Sequence, residues 1–405
     1  MNTFRTFLLS CLLVCVALLT GCAPSPSPLQ SAWPTRLVLA QAEQTAAPAL
    51  TVSGGRVFTA WIGADANGVH QDARVWDATG AGAVTVLPLP PVHPYGQQLF
   101  PAGDGGVHLL WLDADADGVT QVYSALLSAK LDVLRGPTPL TTSGAWRYAA
   151  YAAPDGTLWV VSSGGNVSEP SLTVHEVDAQ ARPRLQDQPA VVPDADWPTL
   201  RRAADGTLWL YGLRLPENRV WVATLTDGQV SSAQAISDSP VLNAGDRLEG
   251  FRVGQDGAQQ YLFWDITRAN GERESWWTRG AFAAESLPPP ERLRVEAGDS
   301  SAPETGFAGG QVESAQIGGE GAVWVTPLDS AESVLPAAAL LSDGQLGVVY
   351  FRDGALVGMQ RLGVAPTLLG LPMLVADGDA HLYLTVAEAG ESTAALMLYS
   401  TRTQP

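Results

Sequence analysis

Short apolar runs, broken by acidic or glycine-containing turns, recur along the whole chain. None carries the three-and-four spacing of an amphipathic helix over a useful length. The clearest case is GGVHLLWLDADADGVTQVYSAL at residues 105–126, which predicts strand, tight acidic turn and strand. GRVFTAWIGADANGVHQDARVW at 55–76 repeats the figure: Trp61 matches Trp111, Asp65 matches Asp115, Asn67 matches Asp117 and Gly68 matches Gly118. DGTLW at 155–159 and again at 205–209 has the same offset. A period of about fifty residues carried by strand pairs predicts a radial β-repeat.

Units begin near residues 48, 96, 146, 197, 247, 303, 336 and 371. The expectation is an all-β fold, a single β-propeller of eight blades. Seven is the alternative, if the sixth unit (312–317 and 322–327) and the seventh (337–341, 346–351 and 356–362) form one irregular blade. The last unit supplies three strands, at 373–376, 382–386 and 395–400. The run at 36–40 has no local partner and is expected to complete that blade. The Gly-, Ser- and Pro-rich stretch 298–310 reads as an insertion or long loop.

The N-terminus has its own signature. A positively charged start precedes an apolar core at 7–18, and Leu19-Thr20-Gly21-Cys22 follows. This order resembles a bacterial lipoprotein signal. The resemblance implies cleavage before Cys22, lipid on its sulfur, and an extracytoplasmic protein anchored to the cell membrane or the outer membrane. The expected division is a signal at 1–21, a lipidated Cys22 with a Pro/Ser tether at 22–35, and the propeller at 36–405. Cys11 and Cys15 lie in the signal, so the mature chain keeps one cysteine and has no internal disulfide or thiolate metal site.

The net charge of −18 argues against a nucleic-acid partner, because such a surface repels phosphate backbones. It suits cations better. Asp113, Asp115 and Asp117, in DADADG, have the alternation that lets carboxylates converge on calcium, in a structural role; the competing reading is a hydrogen-bonded turn. Arginines and tryptophans gather where inner strands are expected to begin, and Trp146, Arg147, Trp197 and Arg202 are the candidate ligand-binding residues. Most repeat-locked tryptophans (61, 111, 159, 209, 264 and 324) are expected in the core, whereas Trp33, Trp146, Trp197, Trp276 and Trp277 are candidates for exposure. The five histidines show no metal-binding spacing.

Trp111, Asp113 and Tyr123, and again Trp264, Asp265 and Trp276, stand in an order similar to that of extracellular propeller lipoproteins with sialidase-like or BNR-type repeats. In a sialidase, that resemblance implies an arginine cluster with a tyrosine–glutamate pair. Tyr148 and Glu249 are the residues to nominate, although no spacing links them. The expected function is a membrane-anchored module that binds an envelope protein or a carbohydrate; the alternative is a sialidase-like glycoside hydrolase at the cell surface. Whether the chain is an enzyme stays open at this stage.

Overall fold

A computed structural model describes residues 33–402, except for breaks at 43–45, 67, 78–79, 90–92, 167, 185–189, 204, 215–216, 258, 282–283, 299–306, 308–311, 329–332, 365–366 and 391–392. The signal sequence, Cys22, the tether up to residue 32 and most of the 298–310 stretch lie outside the described residues. Among those described, no helix is long and apolar enough to cross a membrane.

The strands form seven antiparallel sheets arranged as the blades of one propeller. Taking blade 1 as the first complete sheet, the inner strands of blades 1 to 5 are Ala49–Ser53, Tyr95–Pro101, Ala145–Ala152, Asp196–Arg202 and Arg247–Gln255. Blade 6 uses the second half of Glu313–Pro327, and blade 7 uses Leu368–Ala376. Each second strand is flanked by neighbouring blades, so both of its faces are buried and its sequence is apolar almost throughout. Val107–Ala114, VHLLWLDA, is buried at seven consecutive positions. The core consists of clusters between adjacent blades. Tyr211, Leu213 and Val220 of blade 4 pack on Phe251, Val253, Leu262 and Trp264 of blade 5. Truncating a tryptophan such as Trp264, which is wholly buried, costs about 3–5 kcal/mol.

The blade count is seven, not eight. Leu335–Leu341, Gln345–Arg352 and Ala355–Val364, expected as a separate unit, join Glu313–Pro327 in one sheet. That long strand serves both edges: Ala322 pairs with Leu341 near the channel, while Glu313 and Ser314 pair with Met359 and Gly358 on the outer strand. Gly319 lies between the two halves at φ +60°, and a Cβ there would come within 2.7 Å of Glu296 Cβ. One strand crossing its own blade reads in sequence as two.

The ring closes as expected. Thr35–Ala42 pairs antiparallel with Ala394–Ser400, so the first strand is the outermost strand of the last blade.

Candidate functional site at the channel mouth

At the entry of the inner strand, six of the seven blades break register with their second strand. The breaks fall between Tyr95 and Gln98, Ala145 and Arg147, Asp196 and Thr199, Leu248 and Gly250, Ala322 and Trp324, and Leu369 and Met373. A bulge leaves its extra residue outside the ladder and re-aims the side chain. The residues released here include Gln97, Trp146, Trp197, Glu249, Val323 and Leu371. All six line one or other of two adjoining cavities, each of about 670 Å³, that share Tyr95, Gly96, Gln98 and Met373. One cavity is the mouth and the other is the channel below it. The site is a ring of bulges.

Three of the four residues nominated from sequence meet at the interface of blades 3 and 4. Arg147 Nη1 donates to Asp196 Oδ2 at 2.8 Å, and its guanidinium lies over the Trp197 ring, 3.7 Å from the centroid. Trp146 Nε1 donates to the same carboxylate at 3.3 Å, and the Trp197 amide donates to Asp196 Oδ1 at 2.7 Å. Trp197 has φ +56°, a left-handed conformation that is uncommon for a bulky side chain. Asp196, 8% exposed, is therefore the hub that holds Trp146, Arg147 and Trp197 in place. Arg202 is elsewhere, exposed at the opposite end of the same inner strand, with Nε 3.4 Å from the Gly206 carbonyl.

Blade 5 contributes a buried ion pair. Asp265 binds the Arg252 guanidinium and the Ser275 hydroxyl, and accepts the Val325 amide of blade 6 at 3.2 Å. Burial pushes its carboxyl up from the usual aspartate range, against the opposing pull of Arg252. Glu249, on the blade 5 bulge, is by contrast half exposed and lies 3.4 Å from Arg247. Tyr148 is buried, and its hydroxyl donates to the Gly96 carbonyl of blade 2 at 2.6 Å, which braces that bulge. Burial raises its pKa well above the ordinary tyrosine value.

The acidic turn stands on the mouth side of blade 2. Asp113 turns inward, accepting the His93 and Ala114 amides at 2.8 Å. Asp115 caps the turn: Oδ1 accepts the Asp117 and Val119 amides at 2.9 Å, and Oδ2 accepts Gln121 Nε2 at 2.6 Å. Asp117 is exposed. Among the described residues, the carboxylate and imidazole groups close enough together to share a cation are those of Asp377, Asp379 and His381, in the first turn of blade 7. There, Asp377 Oδ1 accepts the Asp379 and His381 amides and Oδ2 accepts the Tyr383 hydroxyl.

Sequence reasoning missed Asp196, Gln97, Val323 and Leu371. A one-residue bulge only breaks a two-residue alternation locally, so nothing in the strand pattern marks it.

Fold and site together define a seven-bladed β-propeller with a bulge-rimmed channel mouth. No family model matches the chain, and no curated protein matches it in sequence. Among solved structures, the polysaccharide lyase Uly1 is similar over 91% of each chain, with a TM-score of 0.58 and 12% identity. The α-L-arabinanase of Penicillium chrysogenum matches 78% of this chain and 95% of its own, with a TM-score of 0.46 and 13% identity. An α-L-arabinofuranosidase from Fusarium graminearum matches 76% and 93%, with a TM-score of 0.47 and 10% identity.

Proposed function

We propose that this chain is a carbohydrate-active propeller, lipid-anchored through Cys22, that engages a polysaccharide at the channel mouth. The observation that carries the reading is the ring of bulges. It aims a glutamine, a glutamate and two aliphatic side chains into the mouth and two tryptophans into the channel that adjoins it. Flat indoles suit the apolar faces of sugar rings, and polar groups beside them suit hydroxyls.

Cleavage is favoured over plain recognition. The full-length fold likeness is to a protein described as a polysaccharide lyase, which supports the enzymatic alternative better than a passive module. Glu249 is the carboxylate that a bulge presents to the cavity, and we assign it the proton transfer that breaking a glycosidic bond requires. Asp265 is bound on both oxygens and acts by positioning Arg252.

The test is release of new chain ends from a panel of polysaccharides by the wild type and by Glu249→Gln. The expected result is cleavage of at least one polymer and a loss of roughly 10²–10⁴-fold in the variant, with binding retained. Binding without cleavage of any polymer assigns the chain to recognition alone.

A further inference from the structure

The chain has 41 acidic and 23 basic residues, yet the channel below the mouth runs against that balance. Among the described residues, its lining includes Arg147, Arg201 and Arg252, from three consecutive blades, and no aspartate or glutamate. Arg147 is the first residue after the blade 3 bulge. Arg201 and Arg252 are each the third residue after the bulges of blades 4 and 5. With a rise of about 3.3 Å per residue, the backbone of those two stands roughly 7 Å deeper than that of Arg147. The Arg252 guanidinium, however, turns back to the level of Gly250, where a Cβ would meet it at 2.6 Å, and only that of Arg201 stays at the lower level, on the Val253 carbonyl.

All three are held in place by the fold. Arg147 is fixed by Asp196 and the Trp197 ring. Arg201 donates to the Val253 carbonyl at 2.6 Å and the Leu200 carbonyl at 2.7 Å. Arg252 is fixed by Asp265 and by the Val325 carbonyl at 3.3 Å. The two balancing carboxylates are 8% and 4% exposed; neither lines the channel, although Asp265 borders the mouth above it. A guanidinium has five N–H donors, and the bond from Arg147 Nη1 to Asp196 uses one of its own. Preorganised arginines beside a concave aromatic wall are a geometry for binding planar or tetrahedral oxyanions.

We propose that the channel is an oxyanion site that takes the carboxylate or sulfate groups of an acidic saccharide, Arg147 and Arg252 receiving them first and Arg201 at the next level down. This rests on the glycan reading of the mouth and narrows its substrate class. The negative exterior does not prevent it, because charges beyond about 8 Å are largely screened at physiological salt.

The experiment is tryptophan fluorescence of the full-length chain, titrated separately with trigalacturonate, a sulfated disaccharide, neutral xylotriose and inorganic sulfate. Wild type is compared with Arg147→Gln, Arg147→Lys and, as a control at the far end of the strand, Arg202→Gln. The expected result is tighter binding of an acidic saccharide than of xylotriose, weakened about tenfold by Arg147→Gln. Arg147→Lys recovers part of that loss and Arg202→Gln shows none. Which acidic saccharide binds distinguishes carboxylate from sulfate. Xylotriose binding with no response to either acidic sugar or to sulfate overturns the oxyanion site and leaves the glycan reading standing. Sulfate binding that depends on Arg147, with no saccharide bound, keeps the oxyanion site and overturns the glycan reading. No binding of any probe to a chain shown folded by circular dichroism overturns both.

Discussion

Asp196 shows how much of the site depends on one residue. Its carboxylate joins the Trp146 indole, the Arg147 guanidinium and the Trp197 amide, so two bulges on different blades share one acceptor. The sequence made Trp146, Arg147 and Trp197 visible through their residue types, but not their meeting point, because only the closed ring brings strands fifty positions apart together. Burial was legible at most repeat-locked positions: Trp61, Trp111 and Trp264 are at most 1% exposed, whereas Trp159 and Trp209 of the repeated DGTLW are only partly buried. Trp277, expected as a candidate for exposure, is fully buried, stacked on Tyr261 and tilted against Phe351 of blade 6. His175 carries a prediction at this scale. Burial holds its pKa down at about 4, against 6.5 for the free side chain, with Ser162 Oγ 3.1 Å from Nε2. Between those values the unfolded chain binds more protons than the folded one, so stability falls as pH drops from about 6.5 to about 4. The loss is on the order of 2 kcal/mol after allowing for partial exposure. Urea unfolding across that range is expected to show this slope, and His175→Gln to flatten it; an unchanged slope in the variant would assign the loss to other groups.

Among the elements, the first strand has the clearest mechanical role. Leu39 and Ala42 of Thr35–Ala42 are buried against Leu50, Val57 and Trp61 of blade 1 and against the last blade. The strand covers what would otherwise be an open edge on Ala394–Ser400. A chain lacking residues 35–42 is expected to lose about 3 kcal/mol or more and to aggregate through that edge, as seen in calorimetric melts and light scattering. A truncated chain that melts like the full one would show that closure lies elsewhere. This strand was legible because an apolar run without a neighbour in sequence needs one in space. The merged sixth blade was not, because alternation counts strands and says nothing of one strand serving two edges. The bulges were equally silent: the residues they release form no motif.

At the scale of the molecule, the chain combines a net charge of −18, a closed ring and an arginine-lined channel, to which the proposal above gives recognition. If Cys22 carries the anchor, Cys22→Ser is expected to move the protein from the membrane fraction to the soluble fraction in detergent-free lysates, without changing the melting of the propeller. Unaltered membrane association would remove the lipoprotein assignment. The central claim is that the bulged mouth and the channel it opens into form a glycan site, and Trp197, on the channel wall, tests it most directly. At φ +56° a tryptophan is strained by about 1 kcal/mol, a strain that glycine does not suffer. Trp197→Gly therefore keeps the backbone conformation while removing the ring under Arg147. The decisive measurement is binding of the full-length wild type and Trp197→Gly to a panel of immobilised neutral and acidic polysaccharides, with the melting temperature of each recorded alongside. The account predicts that the wild type retains at least one polymer and that the variant, still folded but with a melting temperature lowered by the lost packing of Trp197 on the core between blades 4 and 5, binds it at least tenfold more weakly. Equal binding by the two folded proteins, or no polymer retained by either, would contradict it.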